Sequence, residues 1–307
     1  MNQKHRRAGE VHRQIRQNVR ETFLDNLNDF TPPALIDIVH FIETRIRNEK
    51  CNWAFPTGVS MNKIAAHFTP NNDKSDTKLI LTTKDIIKID FGVHCDGYIV
   101  DAAFSFSADT DLAPLITATR EATTEVIKIT RPGTNLGDIG RLAEEIISSY
   151  EVTRNGTTKK VRPIRNLCGH SIERYCIHAG QSIPNCFIET SEKISADTTY
   201  AIETFASLGR GFVEESGACS HYRKIHSGTG VHLARPTRNF LDKLEIYQGL
   251  PFCRRWVDSD ITPIHLKMLK ELEQKNLVQA YPPLADTDLT SQHERTIYVT
   301  EKNTAVL

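Results

Sequence analysis

Asp90 in Lys-Ile-Asp-Phe-Gly and Asp101 in Ile-Val-Asp-Ala-Ala-Phe flank a short segment, His94-Cys95-Asp96-Gly97. Asp-Gly is the pair that a two-residue type I′ hairpin turn prefers. With Asp96-Gly97 as the turn, Cys95 faces Tyr98, Gly92 faces Asp101 and Asp90 faces Ala103. Directly paired residues share a sheet face, and alternate residues along one strand do too. The two carboxylates thus become diagonal neighbours with Cβ atoms roughly 7 Å apart. Ile87, Ile89, Phe91, Val100 and Phe104 surround them. In that apolar setting two like charges repel unless a cation lies between them. An isolated strand Asp is ordinarily solvent-facing, but Asp is a poor strand former and two occur here in matching register. A metal cluster is the expected chemistry.

Other candidates are more ambiguous on their own. Glu203 in Tyr-Ala-Ile-Glu-Thr-Phe-Ala shares a strand face with Ala201 and Phe205, so its carboxylate points to an apolar side. Burying it ionised costs several kcal/mol without a partner or a metal. His67, His170 and His178 each suit a structural hydrogen bond as well as a ligand. Glu294, in Ser-Gln-His-Glu-Arg, reads as surface by composition, and His221-Tyr222 carries no signal in isolation. The chain has no G-x-S-x-G, H-E-x-x-H, P-loop or dinucleotide-binding glycine fingerprint.

The elements that must position these residues follow from periodicity. Val11, Ile15, Val19 and Phe23 recur every four residues, which predicts a helix from about Ala8 to Asn28. A second runs from about Ala34 to Asn48 after Pro32-Pro33. A strand-rich region from Trp53 to Ser107 contains the Asp hairpin. Helices follow at about Ala113 to Ile129 and Ile139 to Tyr150, then a hairpin around Asn155-Gly156 with strands near 151–153 and 160–163. Strands are expected near Cys176, Phe187 and Ala201. From Cys219 to about Tyr281 the patterning weakens, with one helix at Pro263 to Leu277, and a strand returns at Glu294 to Thr300. An insertion within a returning sheet describes this better than a tail domain.

At 307 residues the chain can bury a full core. Its 38 basic and 38 acidic residues balance, which gives no electrostatic basis for a nucleic-acid or membrane partner. Seven cysteines without a C-x-x-C pair suit free thiols in a reducing compartment, so a cytoplasmic location is expected.

Taken in order, these segments resemble the type 2 methionine aminopeptidases of eukaryotes and archaea. The matching pieces are Phe55-Pro56-Thr57-Gly58, Ala65-Ala66-His67-Phe68-Thr69-Pro70, Lys88-Ile89-Asp90-Phe91-Gly92 and Ile99-Val100-Asp101. They continue as Gly169-His170-Ser171-Ile172, Ile177-His178-Ala179-Gly180, Ala201-Ile202-Glu203-Thr204-Phe205, Cys219-Ser220-His221-Tyr222 and Tyr281-Pro282-Pro283-Leu284. The resemblance implies the α/β (α+β) pita-bread fold, a pseudo-symmetric curved antiparallel sheet covered by helices. It implies a catalytic domain of residues 1–218 and 281–307 and a type 2 helical insert at 219–280. It also implies two divalent metal ions (Co, Mn, Fe or Zn) on Asp90, Asp101, His170, Glu203 and Glu294. Asp101 and Glu294 would bridge, Asp90 would hold the first ion, and His170 with Glu203 the second.

By the same resemblance, the reaction is hydrolytic removal of the initiator methionine. Glu203 would shuttle the proton, His67 and His178 would bind the substrate and stabilise its oxyanion, and Phe55, Ile177, His221 and Tyr281 would border the methionine pocket. Peptides with an amino-terminal Met are the implied partners, with a monomer as the implied state. Fumagillin-type spiro-epoxides at His67 and the ribosome are further implied contacts, although the charged extension of many eukaryotic members is missing. Xaa-Pro aminopeptidases and prolidases share the fold and ligand set, and a non-catalytic RNA- or protein-binding relative is the third reading. Three positions depart from the family pattern: Cys168 replaces the common Asn before Gly-His, and His293 and Arg295 flank Glu294 in place of Phe and His.

Overall fold

The computed structural model describes the 307 residues except 26, 28–30, 73, 74, 226, 228 and 258–262. The first half comprises α1 (Gln3–Val19), α2 (Leu35–Asn48), β1 (Asn52–Trp53), β2 (Gly58–Met61), β3 (Ile64–Ala66), β4 (Ile86–Cys95) and β5 (Tyr98–Ser107). The Asn2 side chain accepts from His5 N–H at 3.0 Å and starts α1 earlier than the apolar stripe alone indicates. Ala8, Val11, Ile15 and Val19 face the sheet, as the four-residue spacing requires. The expected end of this helix at Asn28 lies outside the described residues. A π-helical turn, Arg20–Leu24, follows α1 directly.

The second half repeats the plan. Two helices, α3 (Ala113–Ile129) and α4 (Leu136–Ser148), precede β6 (Glu151–Arg154), β7 (Thr157–Lys160), β8 (Arg162–Pro163), β9 (Cys168–Ile172), β10 (Ser182–Pro184), β11 (Thr198–Ser207) and β12 (Glu214–Glu215). Asn135 caps α4 by accepting from Gly137 N–H at 2.8 Å, so the helix begins before Ile139. Asn155 and Gly156 both have positive φ and form a two-residue turn, which brings the return strand β7 in ahead of the expected Lys160. No strand forms at Cys176 or Phe187: Cys176 makes only an isolated bridge to Glu173, and Phe187 is an exposed loop residue. Their apolar character serves packing and surface, and pairing falls on the flanking β9 and β10.

Next come β13 (His221–Lys224), α5 (Arg235–Lys243), β14 (Phe252–Cys253), α6 (Arg254–Val257), α7 (Pro263–Gln274) and β15 (Val278–Tyr281). They enclose a satellite core of Phe240, Leu241, Leu244, Phe252, Leu269 and Leu272. The chain then returns through β16 (Leu284–Ala285), β17 (Thr290–Val299) and β18 (Thr304–Val306). α5 and the three-stranded sheet β14-β13-β15 were not legible in the weak patterning of this stretch.

Two antiparallel sheets carry the site, β1-β4-β2 with β5 on β4, and β10-β9-β11-β17-β18 with β8 on β11. They meet where β5 runs alongside β17. There the Thr296 hydroxyl accepts from Asp101 N–H at 2.7 Å and donates to Asp101 O at 2.6 Å. Four residues further along β5, the Ser105 hydroxyl does the same for Gln292, at 2.8 and 2.9 Å. Two hydroxyls thus replace backbone bonds and join the halves into one surface.

Thr296→Val keeps the shape but strips both partners from the buried Asp101 backbone. It should destabilise the protein by about 2 kcal/mol or more in urea unfolding. A loss below about 0.5 kcal/mol would mean that the seam does not depend on this hydroxyl.

Candidate metal centre

The site is a pattern of sheet rows. In the first hairpin Asp90 pairs with Ala103 and Gly92 with Asp101, and Asp96 and Gly97 both have positive φ, as the type I′ turn requires. In the second sheet Glu203 pairs with Glu294, and Ala201 pairs with both Thr296 and His170. The hydroxyl seam sets Asp101 beside Thr296 and Ser105 beside Gln292, which places Ala103 beside Glu294. One row therefore reads Asp90, Ala103, Glu294, Glu203. The next reads Gly92, Asp101, Thr296, Ala201, His170. All five expected ligands share one face, and small side chains between them leave room.

Their atoms fall into two overlapping sets, Asp101–His170–Glu294 and Asp90–Glu203–Glu294, with ligand atoms within 4.8 Å in each set. Glu294 belongs to both. His170 Nε2 lies 3.6 Å from Asp101 Oδ2. Gln292 Nε2 donates to Asp90 Oδ2 at 3.1 Å and to Glu203 Oε1 at 2.6 Å. Asp90 Oδ1, Asp101 Oδ1 and Glu294 Oε1 are buried with no hydrogen-bond partner. Orphaned carboxylate oxygens pointing at one another fit a divalent cation, and the oxygen-rich set with one imidazole suits Mn, Fe, Co or Zn. Glu294, which composition reads as surface, is only 1% exposed.

Burial shifts every acid here upward. Asp90 is pushed up to about 7 by burial, against the stabilising Gln292 hydrogen bond. Asp101 rises well above its ordinary value through burial and the Asp90 charge, and Glu203 through burial with Asp90 and Asp101. Glu294 rises through burial, Asp101, Glu203 and Asp90. Burial also pulls the imidazoles down, His170 and His67 to about 4 and His178 and His221 to about 3. All four are neutral at physiological pH.

Above the rows opens a cavity of about 230 Å³, whose walls include Phe55, His67, Ile177, His178, His221 and Tyr281. The Phe55 ring occupies the space a Cβ on Gly92 would need, with Cε1 at 2.3 Å from that position. His178 packs edge-on to His170 with centroids 4.4 Å apart, and His67 stands edge-on to Tyr281 at 5.8 Å. His67 has φ 63°, a left-handed conformation uncommon for a non-glycine residue. His221 uses both ring nitrogens, with Nε2 at 3.3 Å from Pro56 O and Nδ1 at 3.2 Å from Ser220 Oγ. It is a wall residue with no ring nitrogen to spare.

Sequence reasoning missed two groups. Gln292 lies two residues before Glu294, and that period-two spacing could have placed it on the same face. The second is Arg255, in the adjacent basic pair Arg254-Arg255. Its guanidinium pairs with buried Glu43 at 2.5 Å and donates to Pro70 O at 2.7 Å and Thr69 Oγ1 at 3.2 Å. Trp256 Nε1 donates to the other Glu43 oxygen at 3.0 Å, and its ring stacks on Trp53. These contacts tie the α6 region to α2 and to the segment after His67.

The model of metallopeptidase family M24 matches residues 1–234. Methionine aminopeptidase 2 of Kluyveromyces lactis is 37% identical over 309 residues, covering 95% of this chain and 72% of the relative. Its counterpart in Schizosaccharomyces pombe is 40% identical over 304 residues, covering 95% and 69%. In fold, the chain is similar to a thermophilic Arx1 (TM-score 0.81, 17% identity, 99% and 89% covered). It is also similar to methionine aminopeptidase from Thermotoga maritima (TM-score 0.66, 19% identity, 99% and 94% covered). A helix-covered, pseudo-symmetric antiparallel sheet with acids and an imidazole on one face defines the class, a pita-bread metallopeptidase. The chain belongs to metallopeptidase family M24 and, within it, to the type 2 methionine aminopeptidases.

The raised acids give a pH signature. A carboxyl whose folded pKa is raised stabilises the fold below its unfolded value, and that contribution is lost as pH rises through the folded value. For Asp90 the loss begins above its unfolded value of about 4 and is complete at about 7, and the other three acids extend it upward. The buried histidines act oppositely but only near and below about 6.5, where unfolded imidazoles bind protons. Chelator-stripped protein should therefore lose stability as pH rises above about 6.5, whereas the metal-loaded protein should not. Parallel urea titrations of the two forms check this; identical pH profiles would contradict it.

Proposed function

We propose that this methionyl aminopeptidase removes the initiator methionine from nascent chains and peptides by hydrolysis at a dinuclear metal centre. The observation that carries the reading is the pair of rows: five donors on one face, three orphaned carboxylate oxygens, and a largely apolar cavity directly above. Asp90, Asp101, His170, Glu203 and Glu294 would hold the two ions. When bound, the two ions supply Lewis-acid activation of the attacking water and of the scissile carbonyl.

The chain's own groups do the rest. Glu203, half-buried and facing the cavity, takes the proton from the attacking water and delivers it to the departing amine. His67 and His178 are neutral, so each offers one ring N–H to the substrate carbonyl and to the oxyanion it becomes. Phe55, Ile177, His221 and Tyr281 hold the methionine side chain, whose polarisable thioether suits aromatic edges. Gln292 fixes Asp90 and Glu203 relative to each other. Residues 219–280 act as the type 2 insert, carrying His221 to the pocket and anchored through Arg255.

Seven free cysteines support a reducing cytoplasmic setting. No helix among the described residues is long and apolar enough to cross a membrane. Ribosome contact and alkylation of His67 by fumagillin-type epoxides belong to the same reading, since a neutral imidazole beside Lewis-acidic ions can open a strained ring.

Hydrolysis of Met-Ala-Ser compared with Xaa-Pro peptides, with and without chelator and added Mn or Co, tests the activity. Metal-dependent release of Met from the first peptide, with little turnover of the second, is expected; preference for Xaa-Pro bonds would assign the site to a prolidase-like enzyme. His67→Ala should lower kcat by about 10²–10³ through loss of an oxyanion donor. Elemental analysis should show unchanged metal content, and a loss of metal would make His67 a ligand instead.

A further inference from the structure

Away from the cleft, two cysteines are placed for chemistry that peptide hydrolysis leaves unused. Cys51 immediately precedes β1, whose Asn52 and Trp53 pair with His94 and Val93 of β4. The same count sets Cys51 opposite Cys95, the last residue of β4. Ala54 N–H donates to Gly92 O at 2.9 Å, so Ala54–Gly92 is a hydrogen-bonded pair. Alternation then makes Asn52–His94 another such pair and leaves Cys51–Cys95 a non-hydrogen-bonded one. Cys51 N–H accordingly turns away to Ile46 O at 3.2 Å. Cα atoms in a non-hydrogen-bonded pair lie about 4.5 Å apart, within the roughly 4.4–6.8 Å that a disulfide spans.

The surroundings polarise this pair. The register sets the two thiols side by side, and the Arg7 guanidinium stands nearby, itself paired with Glu49 at 2.6 Å. Donation from Cys95, aided by Arg7, holds the Cys51 thiol below its ordinary value against the opposing effect of burial. The same hydrogen bond and burial push the Cys95 thiol up. Of the two, Cys51 is the thiol whose deprotonation these neighbours favour. Cys51 is buried, whereas half-buried Cys95 lines a surface depression together with Gln3, Lys4, Arg6, Arg7 and Glu10.

We propose that Cys51 and Cys95 are a modification site, an oxidisable dithiol that hydroperoxides convert to a disulfide joining β1 to the tip of the aspartate hairpin. The Cys51 thiolate attacks a peroxide oxygen, the O–O bond breaks, and Cys51 becomes a sulfenic acid as hydroxide leaves. That hydroxide takes the Cys95 proton. The Cys95 thiolate then attacks the Cys51 sulfur, the S–O bond breaks, and the second hydroxide leaves as water with a solvent proton. Two thiols are oxidised by two electrons and one hydrogen peroxide is reduced to two waters. A disulfide is broken again by thiolate attack on one of its sulfurs. The modification is thus reversible by thiols. Its position matters, because Phe55, four residues after Cys51, forms a wall of the cavity over Gly92.

The test uses zinc-loaded full chain, since zinc has no redox chemistry with peroxide. Protein treated with hydrogen peroxide is alkylated, digested without reductant and mapped by mass spectrometry. A peptide pair linked through Cys51 and Cys95, abolished by dithiothreitol and by Cys51→Ser, is the expected result. In Cys95→Ser, where no resolving thiol remains, a dimedone adduct should accumulate on Cys51. The proposal is overturned if Cys51 and Cys95 remain fully alkylatable while exposed Cys168 oxidises, or if the linkage maps to other cysteines.

Discussion

Asp90, Asp101, Glu203 and Glu294 crowd one half-buried face, where burial raises the pKa of all four and the charge of Asp90 adds to the rise of the other three. One glutamine nitrogen and one imidazole cannot balance four negative charges. The orphaned oxygens of Asp90, Asp101 and Glu294 show where hydrogen bonding stops. Without a cation the acids hold protons; with divalent ions they hold metal. The same repulsion that makes this cluster costly in the empty protein makes it a strong ligand set, because metal binding relieves it.

That cluster exists only because two separate halves become one surface. Each half has two helices over an antiparallel sheet, and neither contributes a complete ligand set: Asp90 and Asp101 come from one, His170, Glu203 and Glu294 from the other. Thr296 and Ser105 hold β5 against β17 through hydroxyls that both accept and donate. Sheet register then does the rest, since the two-residue period sends every second side chain to the metal face.

A third part of the chain completes the cavity wall. The β13–β15 region delivers His221 and Tyr281 to the cavity wall, and the Glu43–Arg255 pair, covered by Trp256, ties it to α2 and to the backbone after His67. A buried ion pair of this kind gives weak net stability but strong geometric definition, because an alternative docking would strand a charge. The neutral state of the four histidines follows from their burial.

The local code was legible where one turn decides it. Asp96-Gly97 alone determines the register of β4 and β5, hence the shared face of Asp90 and Asp101, because the positive-φ turn leaves no other pairing. The apolar stripe of α1 and the breaks around α3 and α4 were likewise readable from spacing. Cys176 and Phe187 misled, because apolar runs look alike whether they pair as strands or cover a loop. Glu294 was opaque for a different reason. Its neighbours Gln292, His293 and Arg295 are polar, and only the tertiary structure turns them inward by setting β17 between β5 and β11. Arg255 and Glu43 lie far apart in sequence and meet only when α6 packs against α2. Turns act over a few residues and are written in them; the electrostatic environment of a carboxylate is the sum of everything folded around it, and no local window contains that sum.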